Sequence, residues 1–407
     1  MTSKPTKTSN REYIFFTACC MILIALGVDV MLPAFAELRK HFLLESNSTE
    51  TAKLISYFFM GQITQIFFGY LTDRKGRLPV LRLGAIFYIL CGFATVFVTS
   101  LNWMFAFRFF SGMGAAAVCM TAIASVRDRF SGDDMARVMS FVLTILLLTP
   151  IFAPALGAFV LKFYSWKAVF LIPPIFAILI FIWSFRINES LAVEARTSEN
   201  FMNTLIKLKG VLTNLHFMRY TIAATLIFSI LSCYISSSER IVGEFYQKPA
   251  LFPLIFGSMG ILLAAFSLSN SHFSKKYGAK NMLQIYLFAY VGFAIVLFLV
   301  TYFLGDPPQM TIFFILISIM LGLTLAADPN SSSIALEYMG ANAGLAASVY
   351  GTIFFFGGSA IGSLVSNNLA AGLFPLALAA LVFSTISLIL VKTDKSPQAP
   401  SGGASQF

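Results

Sequence analysis

The chain is divided along its length into long apolar runs separated by mostly short polar connections. Each run approaches or exceeds the roughly 20 residues that a helix needs to cross the hydrocarbon core of a bilayer. Such a helix satisfies its own backbone hydrogen bonds in lipid, where no water is available to do so. The sequence therefore predicts an all-α membrane protein with twelve transmembrane helices, at residues 14–36, 51–70, 80–100, 102–126, 138–161, 166–186, 219–242, 251–273, 281–304, 310–334, 343–366 and 369–391.

The distribution of charge supports this class and predicts the orientation. Only 11% of the residues are charged, whereas a soluble chain has about a quarter. With a cytoplasmic N-terminus, 20 of the 28 lysines and arginines lie in the termini and inner connections, seven lie outside, and Arg108 lies within the fourth run. The positive-inside rule then predicts that both termini are cytoplasmic. The net charge of +10 is thus a topology signal, and no nucleic-acid partner is expected.

One connection, residues 187–218, is much longer than the others and separates two groups of six spans. We therefore predict an N-terminal bundle (1–186), a linker (187–218), a C-terminal bundle (219–391) and a disordered tail (392–407). Within the linker, apolar residues recur at three- and four-residue steps from Phe201 to Leu215. This period is typical of an amphipathic helix, which we expect on the cytoplasmic membrane surface.

Motifs for metal, cofactor and nucleotide chemistry are missing from the sequence. The five cysteines lie in apolar runs without a CxxC pair, and the three histidines are far apart. No GxxxxGK[ST], HExxH or GxSxG pattern occurs. We therefore predict no metal, no cofactor and no enzymatic activity. An intramembrane enzyme or a channel is the alternative from another class, which turnover of a lipid substrate or single-channel currents would reveal.

The most informative motif is Gly69-Tyr-Leu-Thr-Asp73-Arg74-Lys-Gly76-Arg77, between spans 2 and 3. Gly76 permits a tight turn. The charged residues of the motif can form salt bridges that break when the two halves of a transporter rock. The plainer interpretation is a positively charged cytoplasmic loop with no further role. The stretch resembles the GxLaDrxGrr motif of the major facilitator superfamily, which is specific to this location.

Further segments are similar to the bicyclomycin/chloramphenicol resistance type of exporter in that superfamily. They include 108–117, 126–137, 153–157, 165–170 and 340–346. The resemblance implies two pseudo-symmetric six-helix bundles and proton-driven antiport. It also implies that conformational gating involves Arg127, Pro154 and Gly157 together with the loop motif. Residues 144–152 of span 5 contain no glycine, and the pair Glu239-Arg240 is unlike that family.

Two charges lie inside the predicted spans at matching depth. Asp29 is seven residues before the outer end of span 1, and Arg108 is six residues after the outer start of span 4. Both therefore lie about 9–10 Å below the outer surface. Charges in membranes usually pair or face a cavity. We predict that Asp29, next to Arg108, carries the transported proton; the alternative is a permanent ion pair that only fixes the helices.

The remaining candidates concern a central cavity for substrate. Spans 7 and 10 supply polar side chains that we predict to line it, as does a helical stripe on span 2. For Glu239 and Arg240, solvated charges at the outer surface are an equally good interpretation. The predicted cavity residues are Tyr57, Gln65, Glu239, Arg240, Asp328 and Asn330.

Taken together, the sequence predicts a monomeric, proton-coupled transporter in the bacterial inner membrane. Its partners would be protons, the lipid bilayer and a small organic substrate, a drug or a metabolite, which it exports by alternating access. The alternative within the same class is a proton symporter, or an exporter, for a charged nutrient or siderophore-like metabolite.

Overall fold

The computed structural model describes residues 8–197, 201–370 and 372–394. Twelve helical segments there are long and apolar enough to cross a membrane, which confirms the predicted number. Numbered as spans 1 to 12, they are Asn10–His41, Glu50–Lys75, Arg77–Ala94, Leu101–Arg129, Arg137–Leu161, Trp166–Trp183, Leu215–Phe245, Pro249–Tyr277, Ala279–Leu304, Met310–Leu336, Ala343–Asn367 and Phe374–Lys392. The terminal face is the end of the bundle where span 1 begins and span 12 ends; the other end is the opposite face.

The spans form two bundles with the same internal packing. In the first, span 1 packs against spans 4, 5 and 6, span 4 also packs against spans 2 and 3, and span 3 packs against span 6. Each of these pairs recurs in the second bundle between the spans six places later. Between the bundles, span 2 packs against span 11, and span 8 packs against span 5. The second contact is the counterpart of the first, because spans 8 and 5 hold the places in their bundles that spans 2 and 11 hold in theirs. This is the predicted pseudo-symmetric arrangement of two six-helix bundles.

Four spans depart from regular α-helix near the interface between the bundles. A π-turn or a 3₁₀ segment inside a helix often marks a functional position. In span 1 the α-helix stops at Asp29, just before Pro33, whose ring cannot continue a regular helix. The interruptions are a 3₁₀ turn at Leu32–Ala34 in span 1, a 3₁₀ turn at Gly61–Thr64 in span 2, and π-turns at Ile241–Phe245 in span 7 and Ile353–Gly357 in span 11.

Some boundaries differ from the predicted ones, because turns set them instead of hydropathy. Span 3 begins at Arg77, three residues earlier than predicted, directly after Gly76 with a φ of +98°. This left-handed conformation favours glycine. Gly278, at the same place in the second bundle, has a φ of +84°. In the linker the structure has a helix at Phe201–Thr213. The tail predicted to be disordered lies outside the described residues from 395 onward.

Candidate functional site

A cavity of about 570 Å³ lies between the two bundles on the side of the terminal face. This volume suits a small organic molecule. Spans 2, 4, 10 and 11 form its walls, and the linker helix contributes Thr204 and Lys207. Of the predicted cavity residues, Gln65 and Asp328 line it. Among the described residues, no group of three or more His, Cys, Asp or Glu side chains is arranged to hold a metal.

Asp328 lies in the deep part of this cavity. It is eight residues from the end of span 10, and hence about 12 Å from the terminal face. The hydroxyl of Tyr350, in span 11, donates a hydrogen bond of 2.7 Å to the carboxylate Oδ1. On the first bundle, the amide of Gln65 donates to Gln62 Oε1 at 3.0 Å. Polar groups from both bundles therefore face the same space.

Four aromatic rings pack at the deep end of the cavity, and two of them, Phe354 and Phe355, line it. Phe59 of span 2 lies 5.9 Å from Phe228 of span 7 and 6.0 Å from Phe355 of span 11, between ring centroids. Phe228 in turn packs 4.2 Å from Phe354. These contacts join the two bundles between the cavity and the opposite face.

At the opposite face, four buried or half-buried charges form what we call the opposite-face ion network: Arg39, Glu239, Arg240 and Glu244. Arg39 of span 1 donates to both carboxylate oxygens of Glu239 at 2.9 and 3.1 Å. It also pairs with Glu244 at 3.1 Å, and Arg240 pairs with Glu244 at 3.2 Å. The network therefore joins the first bundle to the second.

This network corrects the prediction for Glu239 and Arg240. Neither side chain lines the main cavity, and neither is solvated, since the residues are only 8% and 5% exposed. Glu239 instead contributes to a second cavity of about 550 Å³ at the opposite face, between spans 1, 5, 7 and 8. The sequence could not reveal the partner of Glu239, because Arg39 is 200 residues away.

The predicted ion pair between Asp29 and Arg108 is not formed in this conformation. Arg108 donates to the carbonyls of Gly27 at 2.7 Å and Leu54 at 3.3 Å, and its guanidinium lies 4.4 Å from the centre of the Phe58 ring. The Gly27 carbonyl is available because the α-helix stops at Asp29, which leaves its last carbonyls without helical partners.

Asp29 itself is only 3% exposed and lines neither cavity. Within the described part of the chain, its carboxyl has no hydrogen bond and no ion pair. Span 5 packs tightly beside it: a Cβ on Gly157 would lie 2.0 Å from the carbonyl oxygen of Val30. Pro154, one helical turn earlier on the same span, is also buried. Of the predicted gating residues of span 5, Gly157 thus adjoins the break in span 1.

The loop motif at the terminal face forms a network inside the first bundle. Arg77 pairs with Asp73 at 2.5 Å and with Asp128 of span 4 at 2.7 Å. Glu189 of the linker, which was not among the predicted site residues, accepts hydrogen bonds from the backbone N–H groups of Arg77 and Leu78 at 2.9 and 3.0 Å. A carboxylate at the start of a helix is a common cap, but nothing in the sequence marks this one.

The other predicted gating residues lie around the mouth of the cavity. Arg127 lines it, and Arg74 donates to the Tyr70 hydroxyl at 2.8 Å. Gly69 approaches span 11 so closely that a Cβ there would lie 2.7 Å from Ser348 Oγ. Spans 2 and 11 therefore meet between the bundles at this level.

Two predicted cavity residues lie elsewhere. Tyr57 is 37% exposed and stacks on Phe105 with 5.1 Å between ring centroids, so it does not face the main cavity. Asn330 is buried, and it exchanges hydrogen bonds with Asn270 and accepts one from Ser274 of span 8. Of the predicted helical stripe on span 2, Gln65 lines the cavity and Tyr57 does not, because the 3₁₀ turn between them changes the facing direction.

Comparisons with known proteins agree with the fold and the motifs. The family model of the Major Facilitator Superfamily matches residues 17–363. A bicyclomycin resistance protein homolog from Haemophilus influenzae is 30% identical, over 87% of this chain and 89% of its own length. The chloramphenicol resistance protein CraA from Acinetobacter baumannii is 26% identical, over 63% of this chain and 65% of its own length.

Among solved structures, the D-xylose-proton symporter superimposes with a TM-score of 0.74, over 95% of this chain and 97% of its own. At 12% identity this likeness shows the fold alone. The family and these relatives are transporters, and the resemblance to the bicyclomycin/chloramphenicol resistance type is confirmed. The chain is thus a multi-pass membrane protein that belongs to the Major Facilitator Superfamily.

Proposed function

We propose that the protein is a proton-coupled exporter of a small organic molecule, a drug or a metabolite, in the bacterial inner membrane. The terminal face is the cytoplasmic face in this proposal, since most lysines and arginines lie there. One observation carries it: the cavity lies on the side of the terminal face, while buried ion pairs join the bundles at the opposite face. That is one of the two conformations that alternating access requires.

Export requires the second conformation, in which the cavity reaches the opposite face. The bundles then separate where Arg39 contacts Glu239 and Glu244, and water solvates the charges. At the terminal face, the close approach of Gly69 to Ser348 offers the matching contact between spans 2 and 11. Both contacts are formed in this conformation, so opening toward the opposite face breaks the ion pairs while spans 2 and 11 keep their contact near the terminal face.

Asp29 is the proposed proton carrier. A carboxyl in a membrane span without a cationic partner is seldom retained unless it has a function. In this conformation Asp29 lines neither cavity, so a proton reaches it only after rearrangement near the break in span 1. Each inward proton supplies about 2.3 kcal/mol per 100 mV of membrane potential. Arg108 holds the carbonyl of Gly27 and so positions the segment that carries Asp29.

Everted membrane vesicles test this proposal. Chloramphenicol is the first compound to try, given the name of one relative, within a panel of cationic, neutral and anionic compounds. We expect uncoupler-sensitive accumulation inside the vesicles and release of protons from the lumen on substrate addition. Consumption of protons would instead identify a symporter. Transport of every compound without any effect of the uncoupler would refute proton coupling.

A further inference from the structure

The main cavity holds one carboxylate that no cation neutralises. Among the described residues, three carboxylates line the cavity: Asp73, Asp128 and Asp328. Asp73 and Asp128 both pair with Arg77 at the mouth. Asp328 has a hydrogen bond from the neutral hydroxyl of Tyr350 and no ion pair within the described residues.

The cations that line the cavity lie at a different depth. Arg127 is two residues from the end of span 4, about 3 Å from the terminal face, whereas Asp328 lies about 12 Å from it. Lys207 belongs to the linker helix outside the spans. The deep part of the cavity therefore carries a net negative charge when Asp328 is ionised, and Coulomb attraction is stronger there than in bulk water.

Aromatic side chains surround this carboxylate. The rings of Tyr350 and Phe354 are nearly parallel, with an angle of 14° and 5.8 Å between centroids, and both residues line the cavity. Phe355 lines the cavity next to them. The faces of aromatic rings attract cations through their quadrupole. A carboxylate beside such rings is an arrangement that recognises a bulky organic cation.

We propose that Asp328, with Tyr350 and Phe354, forms a subsite for the positively charged centre of an organic cation. This inference rests on the proposed function in one respect: it takes the main cavity as the place where substrate binds. Beyond that function, it specifies that one class of substrate is positively charged and that the second bundle, to which all three residues belong, binds this charge. A neutral substrate would occupy the same cavity without needing the charge of Asp328.

Binding of radiolabelled tetraphenylphosphonium to the purified protein in detergent tests the subsite. This probe is a permanent cation with four phenyl groups and no hydrogen-bond donor. We expect Asp328→Asn to raise its Kd at least tenfold. The matched control is Glu45→Gln, which removes one negative charge from an exposed position in the connection at the opposite face, and we expect its Kd to stay within twofold of wild type. Equal Kd values for wild type and Asp328→Asn would overturn the inference.

Two further measurements apply if Asp328→Asn does not fold, as judged by size-exclusion chromatography. Asp328→Glu keeps the charge, and we expect it to bind the probe within fivefold of wild type. Triphenylphosphine oxide is a neutral compound of similar shape, and we expect it to displace the probe from wild type only at a concentration at least ten times higher than unlabelled tetraphenylphosphonium needs. Displacement at equal concentrations would show that charge is not recognised, and would overturn the inference.

The binding assay uses no proton gradient, so its outcome is separable from the transport assay. Loss of uncoupler sensitivity in vesicles would refute the proposed function and leave the binding result standing. Conversely, Asp328→Asn could bind tetraphenylphosphonium as wild type does while wild-type vesicles accumulate chloramphenicol with uncoupler sensitivity. That result would overturn the subsite alone.

Discussion

Glu239→Gln is the perturbation that bears most directly on the opposite-face ion network. Glutamine keeps the shape of the side chain and removes the charge that Arg39 meets at 2.9 and 3.1 Å. Breaking a buried ion pair typically costs about 3–5 kcal/mol. Because Arg39 retains its ion pair with Glu244 at 3.1 Å, we expect the loss of stability to be smaller, about 1.5–3 kcal/mol.

This cost falls only on the conformation in which the opposite face is closed, since water solvates the charges once the bundles separate. The equilibrium between closed and open conformations should therefore shift about 10- to 100-fold toward opening at that face, at about 1.4 kcal/mol per factor of ten. A shift of this size makes a minor population directly observable.

Double electron–electron resonance, which measures the distance between two spin labels, detects this shift. The labels replace Glu45 and Lys248, both exposed at the opposite face, one in each half of the chain, in a background without native cysteines. We expect Glu239→Gln to add a population at longer distance. The matched control is Glu50→Gln, which breaks a surface pair with Lys53 in the same region, worth about 0–1 kcal/mol. Identical distance distributions for wild type, Glu239→Gln and Glu50→Gln would refute the closing role of the network.

Three further substitutions address packing and local structure. Gly157→Ala should lower the free energy of unfolding of the purified protein by about 1–3 kcal/mol, because its Cβ would lie 2.0 Å from the Val30 carbonyl oxygen. Gly292→Ala, whose Cβ would have nothing within 4 Å, should leave the stability unchanged or raise it slightly, since alanine favours a helix more than glycine does. Equal melting temperatures for the two variants would contradict this contact. Glu189→Ala should lower the free energy of unfolding by about 1 kcal/mol, because it removes the cap at the start of span 3. Thermal denaturation of the purified variant measures this loss. Asn330→Ala should cost about 1–3 kcal/mol with unchanged chloramphenicol affinity, and a selective loss of affinity would place it in the binding site after all.

The sequence predicted the number of spans and the two-bundle architecture because both follow from hydropathy, which is local. It did not predict the ends of span 3, since a glycine turn and the distant cap Glu189 set its start. Hydropathy also gave no indication of the 3₁₀ turn in span 2, which turns Tyr57 away from the cavity that Gln65 lines.

Partners between the two halves were beyond sequence reasoning. The pairing of Arg39 with Glu239 depends on how two bundles dock, and nothing in either segment encodes the other. The predicted ion pair between Asp29 and Arg108 is not formed. A guanidinium next to a broken helix finds carbonyl acceptors, here those of Gly27 and Leu54, and does not need the carboxylate.

Transport by Asp29→Asn in proteoliposomes tests whether Asp29 couples proton movement to export. Chloramphenicol uptake is followed twice, by exchange between equal pools without a gradient and by accumulation driven by an imposed pH gradient. We predict that Asp29→Asn keeps the exchange and loses the accumulation, while Asp29→Glu, which keeps a titratable carboxyl, retains part of it. Full gradient-driven accumulation by Asp29→Asn would show that Asp29 does not couple proton movement to export.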